Sequence, residues 1–414
     1  MILRARAVLP IMRPPVSNGA VVVSSNHIKA IGRWPELRSS FPGQVVDLGE
    51  TILMPGLINA HCHLDYTHMA GQFPPPKRFT DWLKLITSTK AGWNASEYNA
   101  SWLSGARMLL NNGTTTVGDV EAIPQLLPAV WDSVPLRVFS FLEMIGITAR
   151  RPPQAVLSET LQKMRLLDHD RCVVGLSPHA PYSTVPQLLK GAAEAAQDNN
   201  WLLCMHLAES QTEFAMFKEA KGEMFDWLRR SGRDMSDCGQ GSPVMHLERC
   251  GFLKENLLAI HANYLARGDA SLLARHRVSV CHCPRSHAYF RHDPFPLQRL
   301  LRAGVNVCLG TDSLASVLKH RRQTIELDMF AEMRQLAQDF PSLSSKVILG
   351  MATVNSARAL GLRGRVGQLS KGAFADLIAL PWAGEPRHLT DAVLEHRGPV
   401  SASLINGKWA IPPK

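Results

Sequence analysis

Ile52-Leu53-Met54-Pro55-Gly56-Leu57-Ile58-Asn59-Ala60-His61-Cys62-His63 is an apolar run of strand length that ends in two imidazoles. Seven further runs follow it: Thr115 to Val120, Leu136 to Ile145, Cys172 to Ser177, Leu202 to His206, Leu257 to His261, Val278 to Cys283 and Val305 to Gly310. Between them lie amphipathic stretches such as Glu97 to Asn111, Pro186 to Asn199 and Pro294 to Ala303. Strand-length apolar runs alternating with segments of helical spacing are the pattern of βα units around a parallel sheet. Eight units over roughly 300 residues predict an α/β fold, a TIM-like (β/α)8 barrel with insertions. A doubly wound sheet is the alternative. It would need a glycine-rich phosphate loop after its first strand, and neither GxGxxG nor GxxxxGK[ST] occurs.

Both ends of the chain read differently. Ile2 to Ala5, Gly19 to Ser24, His27 to Gly32 and Val45 to Asp47 are short strands bounded by Pro14-Pro15, Ser25-Asn26 and Pro42-Gly43. Phe374 to Leu380 and Ser401 to Lys408 repeat the style near the C-terminus. This predicts one small β-sandwich domain assembled from residues 1–53 and 366–414, flanking a barrel of residues 54–365.

The 414 residues are 45% hydrophobic and 19% charged, which leaves ample apolar surface for a large core and excludes a disordered chain. The net charge of +10 raises the question of an anionic partner. Basic residues come in isolated pairs, Arg150-Arg151, Arg229-Arg230 and Arg321-Arg322, with no basic helix or aromatic-interleaved stripe, so no nucleic-acid partner is expected. No apolar run reaches the ~20 residues of a membrane span, so no membrane partner is expected either. Arg4, Arg6, Pro10 and Arg13 break up the N-terminus as a secretion signal. A cytoplasmic enzyme is the expectation, and the eight cysteines agree, because several lie inside apolar strand-like runs rather than in a stapled loop framework.

In a barrel, chemistry sits at the C-terminal ends of the strands. Here the first run closes on His61 and His63, the fifth on His206 followed by Glu209, the sixth on His261, and the eighth on Asp312 within Gly310-Thr311-Asp312-Ser313. His61 and His63 are two apart on a strand and leave it on the same side, as two ligands of one ion would; by themselves they read equally as two satisfied or exposed histidines. Four such groups at one end of different strands are hard to reconcile with packing alone. Three imidazoles and a carboxylate suit one divalent ion, Zn2+ first and Fe2+ second, with a position left for water. Glu209 can hang beside that ion as a proton shuttle, or serve as a first-turn glutamate of the next helix. His261 is either a further ligand or a residue that orients the water, and Asp312 could both ligate and take the water's proton.

Met54 to His63, His206-Leu207-Ala208-Glu209-Ser210, His261-Ala262 and Gly310 to Ser313 resemble the amidohydrolase superfamily. They are most similar to its branch of S-adenosylhomocysteine, guanine, cytosine and aminodeoxyfutalosine deaminases and triazine chlorohydrolases. Asn355 to Gly361, with Gly367, Gly372 and Ala375-Asp376-Leu377, resembles the stretch by which that branch leaves its barrel for the β domain. The resemblance implies His61, His63, His206 and Asp312 as ligands of a single metal, Glu209 as proton shuttle, and His261 as partner of the hydrolytic water. The strand Cys172 to Ser177 carries neither the lysine nor the glutamate that bridges two metals elsewhere in the superfamily, so one metal is expected. His179 matches a substrate-contacting histidine, although a core histidine is the alternative. Arg285, Ser286 and His287, after Cys281-His282-Cys283, match a loop that could reach the substrate, and Trp82 and Glu143 are further pocket candidates.

The implied reaction is hydrolytic deamination of an amino-substituted heterocycle. The short segment between His63 and Trp82 leans toward adenine-nucleoside substrates such as aminodeoxyfutalosine or S-adenosylhomocysteine. Guanine, cytosine or a triazine stays open, as does a non-catalytic barrel that only binds metal or ligand. A carboxylate on the substrate met by Arg285 would use some of the positive charge. The family often dimerises, so a homodimer is implied by resemblance alone.

Overall fold

The run that opens at Ile52 serves two sheets. The computed structural model describes residues 1–414 except 149–150, 320–323, 386–387 and 414, so Arg150 and the Arg321-Arg322 pair lie outside the described residues. β1 (Ile2–Val8), β2 (Val16–Ser24), β3 (His27–Arg33), β4 (Val45–Asp47) and β5 (Thr51–Pro55) precede the barrel strands. These are β6 (Leu57–Cys62), β7 (Thr114–Glu121), β8 (Arg137–Met144), β9 (Val173–Pro178), β10 (Leu203–Leu207), β11 (Leu257–His261), β12 (Ser279–His282) and β13 (Asn306–Leu309). β14 (Leu377–Pro381), β15 (Ala402–Ile405) and β16 (Lys408–Ile411) close the chain.

β5 pairs with β1 and β14, whereas β6 pairs with β7, so the single apolar run changes sheets at Pro55-Gly56. Glycine is required at this crossing, because a Cβ on Gly56 would lie 2.1 Å from the Thr115 side chain. The terminal strands form one mixed sheet in the order β16-β15-β14-β5-β1-β2-β3, with β4 pairing β1. The two layers of the expected sandwich are therefore halves of one hydrogen-bonded sheet that curls over its own core. Val21, Val23 and Ile28 from one end of the sheet share a cluster with Leu377 and Leu404 from the other. The far edge returns to the chain before β14 through Ile28 N–H to Ala373 O, 2.8 Å.

β6 to β13 pair in chain order and in parallel, which is the eight-unit barrel expected. β13 meets β6 just beyond its last residue, through a parallel bridge between Cys62 and Asp312. The His61 carbonyl accepts from both Thr311 N–H (3.0 Å) and Asp312 N–H (3.1 Å). Asn59, fully buried, seals the same seam: its amide donates to Thr311 Oγ1 at 2.7 Å, and its oxygen accepts from Thr311 N–H at 3.0 Å. A Cβ on Gly310 would stand 2.7 Å from the His61 carbonyl, so the seam tolerates no side chain there.

After β10 the chain makes a long excursion through helices Gln211–Glu219, Glu223–Arg230 and Pro243–Arg249 before β11. Arg233 ties this excursion to the loop after β9, donating from Nε to Tyr182 O at 3.0 Å and to both Asp237 carboxylate oxygens at 2.7 and 2.8 Å. His246 lies 3.8 Å from Asp237. Burial lowers its pKa to about 4, an effect that Asp237 only partly offsets.

Two expectations follow. Asn59→Ala removes both side-chain bonds to Thr311, leaving its N–H only the His61 carbonyl, and should lower stability by about 1–2 kcal/mol. Urea unfolding measures this, and an unchanged midpoint would show that the seam does not depend on this pair. For His246, the unfolded chain binds a proton below its ordinary pKa of 6.5 while the folded chain stays neutral to about 4. Its contribution is complete above pH 6.5 and is lost as pH falls toward 4. His246→Gln should therefore reduce the stability lost between pH 7 and pH 5 by about 1–2 kcal/mol, read from unfolding curves at the two pH values.

Candidate active site

The barrel seam delivers the first three groups. His61 ends β6, His63 follows it, and Asp312 follows β13, so the bonds from Thr311 and Asp312 to the His61 carbonyl set the imidazoles beside the carboxylate. His61 Nε2 stands 3.6 Å and His63 Nε2 3.8 Å from Asp312 Oδ1. The other oxygen, Asp312 Oδ2, accepts from Ser286 Oγ at 2.6 Å and Ser316 Oγ at 3.1 Å. Asp119, at the end of β7, holds the chain just past His63 by accepting from Leu64 N–H and from Trp102 Nε1–H, each at 2.9 Å.

His206, on β10, donates from Nδ1 to the His179 carbonyl at 3.0 Å, which leaves its Nε2 as a lone pair facing inward, 3.2 Å from His63 Nε2. His61, His63 and His206 bring their ligand nitrogens within 4.8 Å of one another; Glu209, His261 and Asp312 do the same with a nitrogen and two carboxylate oxygens. Both ring nitrogens of His61 and Nε2 of His261 are buried without a hydrogen-bond partner. Inward-facing orphaned nitrogens around a carboxylate oxygen are costly unless a cation joins them, so the residues present fit a bound divalent ion.

Environment pushes the groups apart in protonation. Burial and the neighbouring His61 hold His63 well below the ordinary histidine range, and burial with His179 and His61 does the same for His206, which favours the neutral imidazoles that could hold a metal ion. Burial alone would raise Asp312, but the nearby His61, His261 and His63 outweigh it and hold this carboxyl well below its usual value. Glu209 goes the other way, raised well above its usual value by burial and by the charges of Asp312 and Glu213. Its Oε1 lies 3.5 Å from His261 Nε2, and burial lowers His261 to about 3. A carboxyl biased toward protonation beside one biased toward ionisation is the arrangement of a general acid with a general base. The backbone at this end is strained, with non-glycine residues Ala208, His261, Ala262 and Asp312 at φ 49°, 73°, 50° and 54°.

A cavity of about 130 Å3 opens over these groups. Trp82, Glu143 and His179 line it, as the sequence led us to expect, together with His63, His206, Glu209, His261 and Asp312. His179 Nδ1 pairs with Ser183 Oγ at 2.7 Å, and its Nε2 is 4.0 Å from Glu143. Arg285 and Ser286 do not line the cavity, which corrects their reading as substrate contacts. The Arg285 guanidinium is bound to buried Glu332, Nε to Oε1 at 2.5 Å, and to the Glu326 carbonyl at 2.9 Å. Ser286 is spent on Asp312. His287 donates from Nδ1 to Asn263 Oδ1, 3.2 Å.

Lys90 and Tyr66 were missed by sequence reasoning. Tyr66 stacks on His63, with centroids 4.9 Å apart and planes 6° apart, and Lys90 donates to its phenol. Lys90 lies 3.9 Å from Glu143 and is the only lysine or arginine among the described residues lining the cavity. Lys90 lies in the last turn of the helix Phe79–Ala91.

Among known proteins, the chain is 31% identical over 375 residues to the 5-methylthioadenosine/S-adenosylhomocysteine deaminase of Syntrophobacter fumaroxidans, covering 87% of this chain and 80% of that one. It is 29% identical over 409 residues to the enzyme of the same name from Thermococcus onnurineus, covering 94% and 88%. A crystal structure of an adenosine deaminase from Xanthomonas campestris with bound zinc superposes with a TM-score of 0.84 at 26% identity, covering 99% of this chain and 92% of the other. Residues 52–410, most of the chain, match the amidohydrolase family profile, and the chain belongs to that family.

Proposed function

We propose that this protein is a metal-dependent aminohydrolase that releases ammonia from an adenine-nucleoside substrate. The observation that carries the reading is the Glu209–His261 pair, 3.5 Å apart, set beside Asp312 and three inward-facing imidazoles on the floor of one cavity. The names of the relatives support the substrate class, and the zinc-containing neighbour supports Zn2+ ahead of Fe2+ as the ion.

His61, His63, His206 and Asp312 would hold the ion, which supplies the Lewis acidity that brings the pKa of water toward neutrality. Glu209, whose burial favours its protonated form, donates to the ring nitrogen beside the amino-bearing carbon. That carbon becomes electrophilic as water oxygen bonds to it. His261, neutral, accepts a hydrogen bond from the water, and Asp312 accepts its proton. Asp312 passes that proton on to the exocyclic amine, the C–N bond breaks with its electron pair on nitrogen to release ammonia, and the remaining hydroxyl proton returns to Glu209 as the carbonyl forms.

Trp82, Tyr182 and Trp227 offer apolar faces for a heterocycle. Glu143 and Lys90 face the cavity as an acceptor and a donor whose charges offset each other, which suits hydroxyl groups of a sugar better than an anionic substituent. Arg285, already paired with Glu332, is not available to a substrate carboxylate. We also propose a cytoplasmic setting, since all eight cysteines are free thiols and seven of them are buried.

Ammonia release across adenosine, 5′-deoxyadenosine, methylthioadenosine, S-adenosylhomocysteine, guanine and cytosine, with chloride release measured for a chlorotriazine, tests the substrate class; highest kcat/KM on a base or triazine would overturn it. Glu209→Gln should lower kcat by at least about 10³-fold while metal content by elemental analysis stays near that of the parent. Retained turnover would remove Glu209 from the acid role. Stripping the metal with a chelator should abolish turnover, and Zn2+ should restore it; full activity of metal-free protein would sink the mechanism.

A further inference from the structure

Glu213 does work that its position at the start of a helix conceals. It lies in the first turn of helix Gln211–Glu219, yet it is fully buried and lines no part of the cavity. Its two carboxylate oxygens accept from consecutive backbone amides, Oε1 from Ala208 N–H and Oε2 from Glu209 N–H, both at 2.9 Å. Among the described residues no cation neutralises it. Ser210 Oγ caps the same turn, accepting from Glu213 N–H at 3.2 Å.

The opposite side of this peptide is held from the loop after β11. Asn263 Nδ2 donates to Glu209 O at 2.9 Å, and Tyr264 N–H donates to Ala208 O at 3.1 Å. Asn263 is in turn set by His287, whose Nδ1 donates to its Oδ1 at 3.2 Å. Every backbone donor and acceptor of Ala208 and Glu209 is thereby engaged, and Ala208 is kept at φ 49°, where a non-glycine residue does not rest unaided.

A buried carboxylate without a cation is expensive; burial lifts Glu213 to about 7, against the three backbone bonds that lower it. Two amides pointing the same way from adjacent residues need an acceptor with two oxygens. Glutamine would set its NH2 against one of them, and alanine would leave both unpaired.

We propose that Glu213 and Asn263 are positioning residues that clamp the Ala208–Glu209 peptide and so aim the Glu209 carboxyl at the reacting nitrogen. The inference rests on the acid role proposed above for Glu209. Glu213→Gln and Asn263→Ala should each lower kcat about 10- to 100-fold on the preferred nucleoside, with KM within about threefold and metal content unchanged. The double variant should lose less than the product of the two single losses, because both act on one peptide.

If Glu213→Gln does not fold, Asn263→Ala, on the other side of the clamp, carries the test. A crystal structure of either variant supplies a readout independent of turnover: the Ala208–Glu209 peptide should leave its left-handed turn. A kcat within twofold of the parent, a loss of kcat matched by an equal loss of metal, or an unmoved peptide overturns the clamp. Turnover by Glu209→Gln at the parental rate would instead overturn the acid role itself, so the two failures are distinguishable.

Discussion

The His61 carbonyl accepts two backbone N–H bonds, from Thr311 and Asp312, and the site depends on that junction. An open sheet of the same eight strands would leave its first and last at opposite edges, and His61 and His63 could never share an ion with Asp312. Closing the sheet places the first and eighth strands side by side, and the seam lies at the C-terminal end, where the ligands sit. Asn59 and the bare Gly310 serve that junction rather than the chemistry. Barrel closure and the candidate metal site are thus one construction.

Around the junction, polar groups are buried at a cost that the site turns to use. Two carboxyls within reach of each other are shifted in opposite directions, Asp312 downward by its histidine neighbours and Glu209 upward by burial and like charge. Four non-glycine residues stand in the left-handed region at the same end of the barrel, among them Ala208, Ala262 and Asp312, whose backbones are bonded to Tyr264, Leu207 and His61. Such strain persists only where surrounding structure over-determines it. Glu213 and Asn263 supply that determination for the Ala208–Glu209 peptide, from the excursion after β10 and the loop after β11, outside the barrel strands.

The terminal sheet shows how a local pattern can be read correctly and still be incomplete. Ile52 to His61 reads as one strand because nothing in its hydropathy changes at Pro55-Gly56; the break appears only because Thr115 occupies the space a side chain at Gly56 would need. The short strands at both ends were legible as a shared β unit. Their joining into one mixed sheet curled on itself was not, since β1 pairs in parallel with β4 and β5, whose registers depend on where the barrel holds β5.

By itself the sequence determined the eight-unit alternation, the polar residues that close each strand, and hence His61, His63, His206, Glu209, His261 and Asp312 as one set. Hydrophobic periodicity is local, and in a parallel barrel the end of every apolar run points to the same face. It also marked Trp82, Glu143 and His179, which do line the cavity. Only the tertiary structure decided which charges are free to meet a ligand. Arg285 is lost to Glu332, a residue 47 positions later in the chain, while Lys90, on what reads as an ordinary solvent-facing helix, turns into the cavity beside Tyr66 and Glu143. Glu213 changes in the same way from a first-turn carboxylate to a buried acceptor of two amides. The physical reason is common to all three: whether a charged side chain faces solvent, a partner or a ligand is set by contacts between distant segments, and no periodicity along the chain encodes them.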